Sequence, residues 1–215
     1  MKKIKTSFIL IFFLLAGLNY AQGTFEGKIK IEVEADGEKQ IIDYLVKDLR
    51  FRMETPEAKG AMVYDSHVQK MYIIMDEQQA YMENFMLPEI DKSTGSYTKT
   101  GETQNILGYT CEKFLFQQDD KKGEAWMTKE IGEVILFGDL RQQQLNIQNW
   151  KSEVLDAGYF PLQVTEIDNE GEVLSTFKVT EVVPQQLDAD LFVPPSSYKK
   201  FEMPGMNFDS FMDGD

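Results

Sequence analysis

The chain has 215 residues, with 36 Asp and Glu against 22 Lys and Arg, one His and one Cys. Its formal net charge of −14 repels phosphate backbones and anionic head groups, so nucleic-acid binding is disfavoured and the plain reading is a soluble acidic surface. A single cysteine excludes an internal disulfide. One Cys with one His excludes the usual zinc sites, and no metal or cofactor is expected.

Lys2, Lys3 and Lys5 precede an apolar run from Phe8 to Leu18, and Asn19, Tyr20 and Ala21 form a short exit ending on a small residue. Basic, apolar, then small is the layout of a secretory signal peptide, here residues 1–21. The run is too short for a comfortable membrane span. No cysteine follows it to carry a lipid. The chain is therefore expected to be exported, not membrane-spanning, and periplasmic or extracellular after cleavage near Ala21. The remaining 194 residues fit one domain, 22–200, with a short tail. Without the three leader lysines, 19 basic residues face 36 acids, a net charge of −17.

From Thr24 to Glu34, Phe25, Gly27, Ile29, Ile31 and Val33 alternate with Glu26, Lys28, Lys30, Glu32 and Glu34. Period two with one charged face predicts a strand lying on a core. Asp36-Gly37 predicts a tight hairpin into a strand over 39–47. Further short strands follow at about 49–54, 61–64, 70–75 and 79–83, with turns at Asp65-Ser66-His67 and Asp76-Glu77, the pattern of an antiparallel meander. Leu87 to Thr103 holds Pro88, Gly95 and Gly101 and no periodicity, so it reads as a mobile loop. Tyr109 to Gln118 and Glu124 to Met127 read as the next strand pair.

Thr128 to Lys151 breaks the pattern. Thr128 can cap a helix, Glu130 suits its first turn, and Ile131, Val134, Ile135, Leu136, Leu140, Leu145, Ile147 and Trp150 are spaced roughly for one face. Strands over 160–167 and 173–183 and an extended segment over 187–194 close the chain. Residues 201–215 read as an acidic, disordered tail. The expected fold is mainly β with a helical insertion, an α+β arrangement: a curved antiparallel sheet of about ten strands with the helix laid across its mouth.

The candidate chemistry is sparse. His67 sits beside Ser66 and Asp65, but triad members come from separate elements, so it reads as a turn histidine. Cys111 reads as a buried, inert strand cysteine. Asp209, Asp213 and Asp215 lack the rest of a calcium loop. Acidic residues are plentiful, yet no spacing picks out a catalytic pair, and no enzyme is expected. The informative set is the methionines Met53, Met62, Met71, Met75, Met82, Met86 and Met127, joined by Phe51, Tyr72, Tyr81, Phe114, Phe116 and Trp126; Phe51, Met53, Met62, Met71, Met75, Met82, Phe114 and Trp126 are the candidates to line an apolar cavity. Methionine is flexible and polarizable and lines surfaces that fit variable apolar ligands; equally, it fills cores.

Three stretches carry a resemblance when taken together: Ile106 to Phe114 with its Leu107-Gly108-Tyr109-Thr110-Cys111, then Glu124-Ala125-Trp126-Met127, then Leu187 to Pro194 followed by Tyr198. The chain resembles the secreted domain-of-unknown-function family numbered 4412 of Gram-negative bacteria. The resemblance implies a fold similar to the LolA/LolB lipoprotein carriers, a curved antiparallel half-barrel with helices plugging its concave face. It implies no catalytic residues. Two function classes stay open: a carrier or sensor of a lipid or acyl chain in the periplasm, or an envelope protein-binding or structural module without a small ligand.

Overall fold

Alternation carries most of the chain into strands. A computed structural model describes residues 24–55, 59–85, 95–118, 121–132, 134, 154 and 157–201. Among them run β1 (Gly27–Ala35), β2 (Glu38–Lys47), β3 (Arg50–Thr55), β4 (Gly60–Asp65), β5 (Lys70–Met75), β6 (Ala80–Phe85), β7 (Gly95–Ile106), β8 (Tyr109–Gln118), β9 (Lys121–Thr128), β10 (Phe160–Ile167), β11 (Val173–Pro184) and β12 (Lys199–Lys200), with one 3-10 turn at Ala189–Phe192. The predicted hairpin at Asp36-Gly37 forms with both residues at positive φ (54° and 76°), the geometry that matches strand twist in a two-residue turn.

All twelve strands join one open sheet in the order β12-β6-β5-β4-β3-β2-β1-β11-β10-β9-β8-β7. Two meanders, β1 to β6 and β7 to β11, are sutured by antiparallel pairing of β1 with β11, from Gly27 opposite Pro184 to Ala35 opposite Ser175. Consecutive strands β6 and β7 therefore lie ten strand spacings apart, about 48 Å in a flat sheet. The ten residue steps from Phe85 to Gly95 reach at most about 36 Å. The sheet must therefore curve enough to bring Phe85 and Gly95 within that reach.

The register sorts side chains onto two faces. One face carries the main core: Ile29 and Ile31, Tyr44 and Val46, Phe51, Tyr64, Met71, Phe114 and Phe116, Ala125 and Met127, Val164, Phe177 and Val179 are all buried there. The second face is charged over most of its width and is crossed at β3 to β5 by the segment that follows β11. There Phe192 is fully buried with Ala61, Val63 and Ile74, flanked by Leu187, Leu191 and Tyr198. Polar anchors tie this strap along its length. Glu26 accepts from the Leu187 N–H at 2.6 Å and from Lys47, and Arg52 donates to the Leu191 carbonyl at 3.1 Å. The Tyr198 hydroxyl donates to Asp76 at 2.9 Å, and β12 then adds to β6.

Several expectations are corrected. The α+β fold with a helical cover is overturned: the described molecule is nearly all β, and no described element is an α-helix. Thr128 ends β9 rather than opening a helix. Its Oγ1 does accept from the Glu130 N–H at 3.1 Å, but Gly132 follows at φ 94° and turns the chain away from helical geometry. Ile131, Val134 and Val154 pack into or against the main core. Residues 135–153, including Leu140, lie outside the described residues, as do the expected signal peptide and the residues of the tail beyond 201. The strands number twelve among the described residues, not about ten. The mobile loop of 87–103 is corrected over 95–103, which belongs to β7; this edge strand is rich in Ser, Thr and Lys and shows no apolar alternation. The extended segment at 187–194 contains the 3-10 turn, capped by the Asp188 side chain accepting from the Asp190 N–H.

The edge at β7 is guarded. Three residues, Thr100 to Glu102, stand against Lys113 alone between the pairs Lys99–Phe114 and Thr103–Glu112. Such a bulge, with Gly101 at φ 83°, interrupts the ladder that an incoming strand would need.

Candidate functional site

Cross-strand register builds a methionine row on the core face. Tyr44 stands opposite Met53, Met53 opposite Met62, Met62 opposite Ile73, and Ile73 opposite Met82, spanning β2 to β6. Four spacings make the row about 19 Å long. Met75 lies one step along on the same face, opposite Gly60 and Ala80. Gly60 is glycine for a reason of space: a Cβ there would meet the Ile74 carbonyl oxygen at 2.0 Å.

Beneath the row runs an aromatic floor. Phe51 is fully buried, stacked on Tyr44 at 4.9 Å between centroids and tilted against Tyr64 at 5.7 Å. Met71 is buried beside it, at 4% exposure. Met53, Met62, Met75 and Met82 are half-buried, as is Ile73. Of these, Met53 and Met62 pack against the margin of the main core.

Of the eight residues singled out from sequence, seven share this face. Six of them (Phe51, Met53, Met62, Met71, Met75, Met82) lie in the β3 to β6 wing, and Phe114 is buried across the sheet in β8. Trp126 does not join them. It alternates with Ala125 and Met127, which face the core, and the Lys113 ammonium sits 5.5 Å from its ring centroid, while the half-buried indole still packs against the margin of the main core. The sequence reading missed Ile73, although the alternation of Met71, Ile73 and Met75 marks it.

A polar cluster missed from sequence closes the far wing. The Tyr159 hydroxyl donates to Glu112, Lys99 pairs with Glu112 at 2.6 Å, and Lys129 lies 4.4 Å from the Tyr159 ring centroid. Tyr159 packs edge-on to Phe114 at 5.0 Å. The hydrogen bond from Lys99, then that from Tyr159, holds the Glu112 carboxyl below the usual carboxylate range. Burial, then the bond to Glu112, pushes the Tyr159 phenol up. An ion-paired carboxylate that stays charged is a brace rather than a general acid. No sequence spacing joins residues 99, 112, 129 and 159, so nothing marked them.

The remaining candidates are structural in place. Cys111 is fully buried, and burial pushes its thiol up to about 11. The His67 N–H donates to Asp65 Oδ1 at 2.9 Å, and its Nε2 lies 2.8 Å from the Asp48 carbonyl oxygen, which fixes it in the β4–β5 turn. Among the described residues, no three His, Cys, Asp or Glu side chains converge as a metal site. On the charged face, a groove of about 520 Å³ runs across β7 to β10, lined by Thr98, Leu115, Gln117, Lys122, Glu124 and Thr165 among others; none of the eight predicted residues lines it.

The family model described as Domain of unknown function (DUF4412) matches residues 25–198. No curated protein matches the chain in sequence. Among solved structures, it is similar to an uncharacterized conserved protein from Thermus thermophilus, at 14% identity over 84% of this chain and 90% of that one, with a TM-score of 0.47. It is also similar to the complex of MucA and MucB from Pseudomonas aeruginosa, at 13% identity over 81% of this chain and 56% of the matched one, with a TM-score of 0.47. A third is a domain described as an outer membrane lipoprotein-sorting protein from Vibrio parahaemolyticus, at 11% identity over 80% and 90%, with a TM-score of 0.23. The chain thus spans little more than half of the matched MucA/MucB chain. All three scores lie below 0.5, and these likenesses lend no argument about function. No described helix is long and apolar enough to cross a membrane.

Proposed function

The chain belongs to the DUF4412 family, and from that premise we propose that it is a non-enzymatic, exported envelope protein that binds or carries an apolar ligand, a lipid or acyl chain, on the core face of its sheet. The observation that carries this reading is the row of Met53, Met62, Ile73 and Met82. Half-buried methionines in cross-strand register make an apolar surface that is neither sealed as core nor polar as a solvent face.

The dimensions suit one chain of a lipid. The row from Met53 to Met82 spans three strand spacings, about 14 Å, close to the roughly 15 Å that one acyl layer contributes to a hydrocarbon core. Each methylene moved from water onto such a surface contributes about 0.8 kcal/mol, so partial coverage of an acyl chain suffices for useful binding. Phe51 and Met71 form the floor and Phe114 the distant end of the same face. The leader-like residues 1–21 support export to the periplasm, with removal near Ala21.

The test is native mass spectrometry of the protein purified from its own envelope. Lipid should co-purify with the parent, and a Met53→Asp, Met62→Asp variant should be exported, folded and lipid-free. No lipid on the parent, or unchanged lipid on the folded variant, overturns the carrier reading in favour of an envelope protein-binding module.

A further inference from the structure

Among the described residues, the sulfur chemistry of the chain is divided by burial. Its single thiol, Cys111, is fully buried, as is the thioether residue Met127, and Met71 is 4% exposed. The thioethers of Met53, Met62, Met75 and Met82 belong to half-buried residues gathered on one face of four adjacent strands. An oxidant arriving from solvent therefore meets this patch while the thiol and the two buried thioethers are shielded.

We propose that Met53, Met62, Met75 and Met82 form an oxidation site that takes a peroxide, and that their sulfoxidation switches off apolar binding by the core face; the switching part rests on the function proposed above. In each event a thioether sulfur lone pair attacks one peroxide oxygen. The O–O bond breaks, an S–O bond forms, and with hydrogen peroxide the other oxygen leaves as water. Sulfur is oxidised by two electrons and the peroxide is reduced by two. The product side chain is polar and chiral where the parent was apolar.

The row geometry makes the change cooperative in effect. Met53 and Met62 stand directly opposite each other, with Cβ atoms about 4.5–5.5 Å apart. Two sulfoxide dipoles there lie side by side at the centre of the apolar row. An acyl chain crossing them would bury both without a donor to satisfy them. The ladder hydrogen bonds of β3 to β6 involve no methionine side chain, and Phe51 and Met71 keep the floor closed. The fold thus survives the event that disables the face.

The full chain is treated with limiting hydrogen peroxide, and oxygen uptake at each methionine is followed by peptide mass spectrometry. Uptake of the neutral dye Nile red and the circular dichroism spectrum are recorded on the same samples. Met53, Met62, Met75 and Met82 should oxidise before Met71 and Met127, and dye affinity should fall about tenfold or more with the β spectrum unchanged. A variant with these four methionines replaced by leucine, a volume-conserving change, should bind the dye and keep that affinity under peroxide; the Met53→Leu, Met62→Leu variant, which removes the facing pair, serves if the fourfold one does not fold. Oxidation of Met71 or Met127 at the same rate overturns the site. Unchanged dye uptake after oxidation of the four, or equal peroxide sensitivity in the leucine variant, overturns the switch. Untreated protein that takes up no dye overturns the switch together with the ligand reading, while the order of oxidation still decides the modification site.

Discussion

Replacing Phe192 with alanine tests the strap directly. The side chain is fully buried against Ala61, Val63 and Ile74, on the face opposite the main core. A buried phenylalanine removes about 150–250 Å² from water, worth ~4–6 kcal/mol at about 25 cal/mol per Å². Alanine retains part of that, a cavity adds to the loss, and the expected destabilisation is about 3–5 kcal/mol. For a domain of this size that lowers the melting temperature by roughly 6–20 °C. The substitution should also free the strap locally. Hydrogen exchange should accelerate at Lys199 and Phe201, whose N–H groups donate to the Gln79 and Tyr81 carbonyls. The measurements are a thermal melt and exchange read by peptide mass. A midpoint within about 2 °C of the parent, with Lys199 and Phe201 still protected, would refute the claim that this one ring seats the strap.

Two further outcomes follow from burial and charge. Cys111, fully buried with its thiol pushed up to about 11, should resist maleimide at pH 8 in the native protein and label promptly in denaturant; rapid native labelling would contradict its place in the core. Glu26 is held below the ordinary carboxylate range first by the Leu187 N–H and then by Lys47, so its contribution to stability is complete above its unfolded pKa and is lost as pH falls through its lower folded value. Acidification below about pH 4 should therefore loosen the start of the strap in the parent, while Glu26→Gln should remove most of that dependence; identical acid profiles would count against the anchor.

Much of the sheet is legible because its strands keep one apolar and one charged face. β5 and β8 fall on the residues that alternation marks, Lys70–Met75 and Tyr109–Gln118. β7 is hidden because an edge strand interrupted by a bulge needs no apolar period; Tyr97 and Leu115 remain substantially exposed where it meets β8. The misread helix has a physical origin as well. Apolar residues after Thr128 recur near helical spacing, but burial of Ile131 against a sheet does not require a helix, and Gly132 adopts a left-handed conformation. In the candidate site, period two brings Met71, Ile73 and Met75 to one face and separates Trp126 from Met127 by a single position. Opposition of Met53 to Met62 depends on the β3–β4 register, and the Glu112–Tyr159 bond joins residues 47 positions apart; neither is written in a local pattern.

The seam between β1 and β11 sets a timetable for the molecule. β1 is the first of the twelve strands to leave a ribosome or a translocation pore, yet one of its two edges waits for β11, whose residues lie 140 or more positions later. Until then the first meander ends in an unpaired backbone edge at what becomes the middle of the sheet, and its apolar face has no counterpart across that seam. Contacts this distant form slowly, because loop closure must precede their reward. Under the export proposed above, such lateness is useful: the polypeptide stays threadable while it is being moved, and a holding chaperone has a defined edge to occupy. Completion of the fold is then an event of the receiving compartment, timed by the arrival of its penultimate strand.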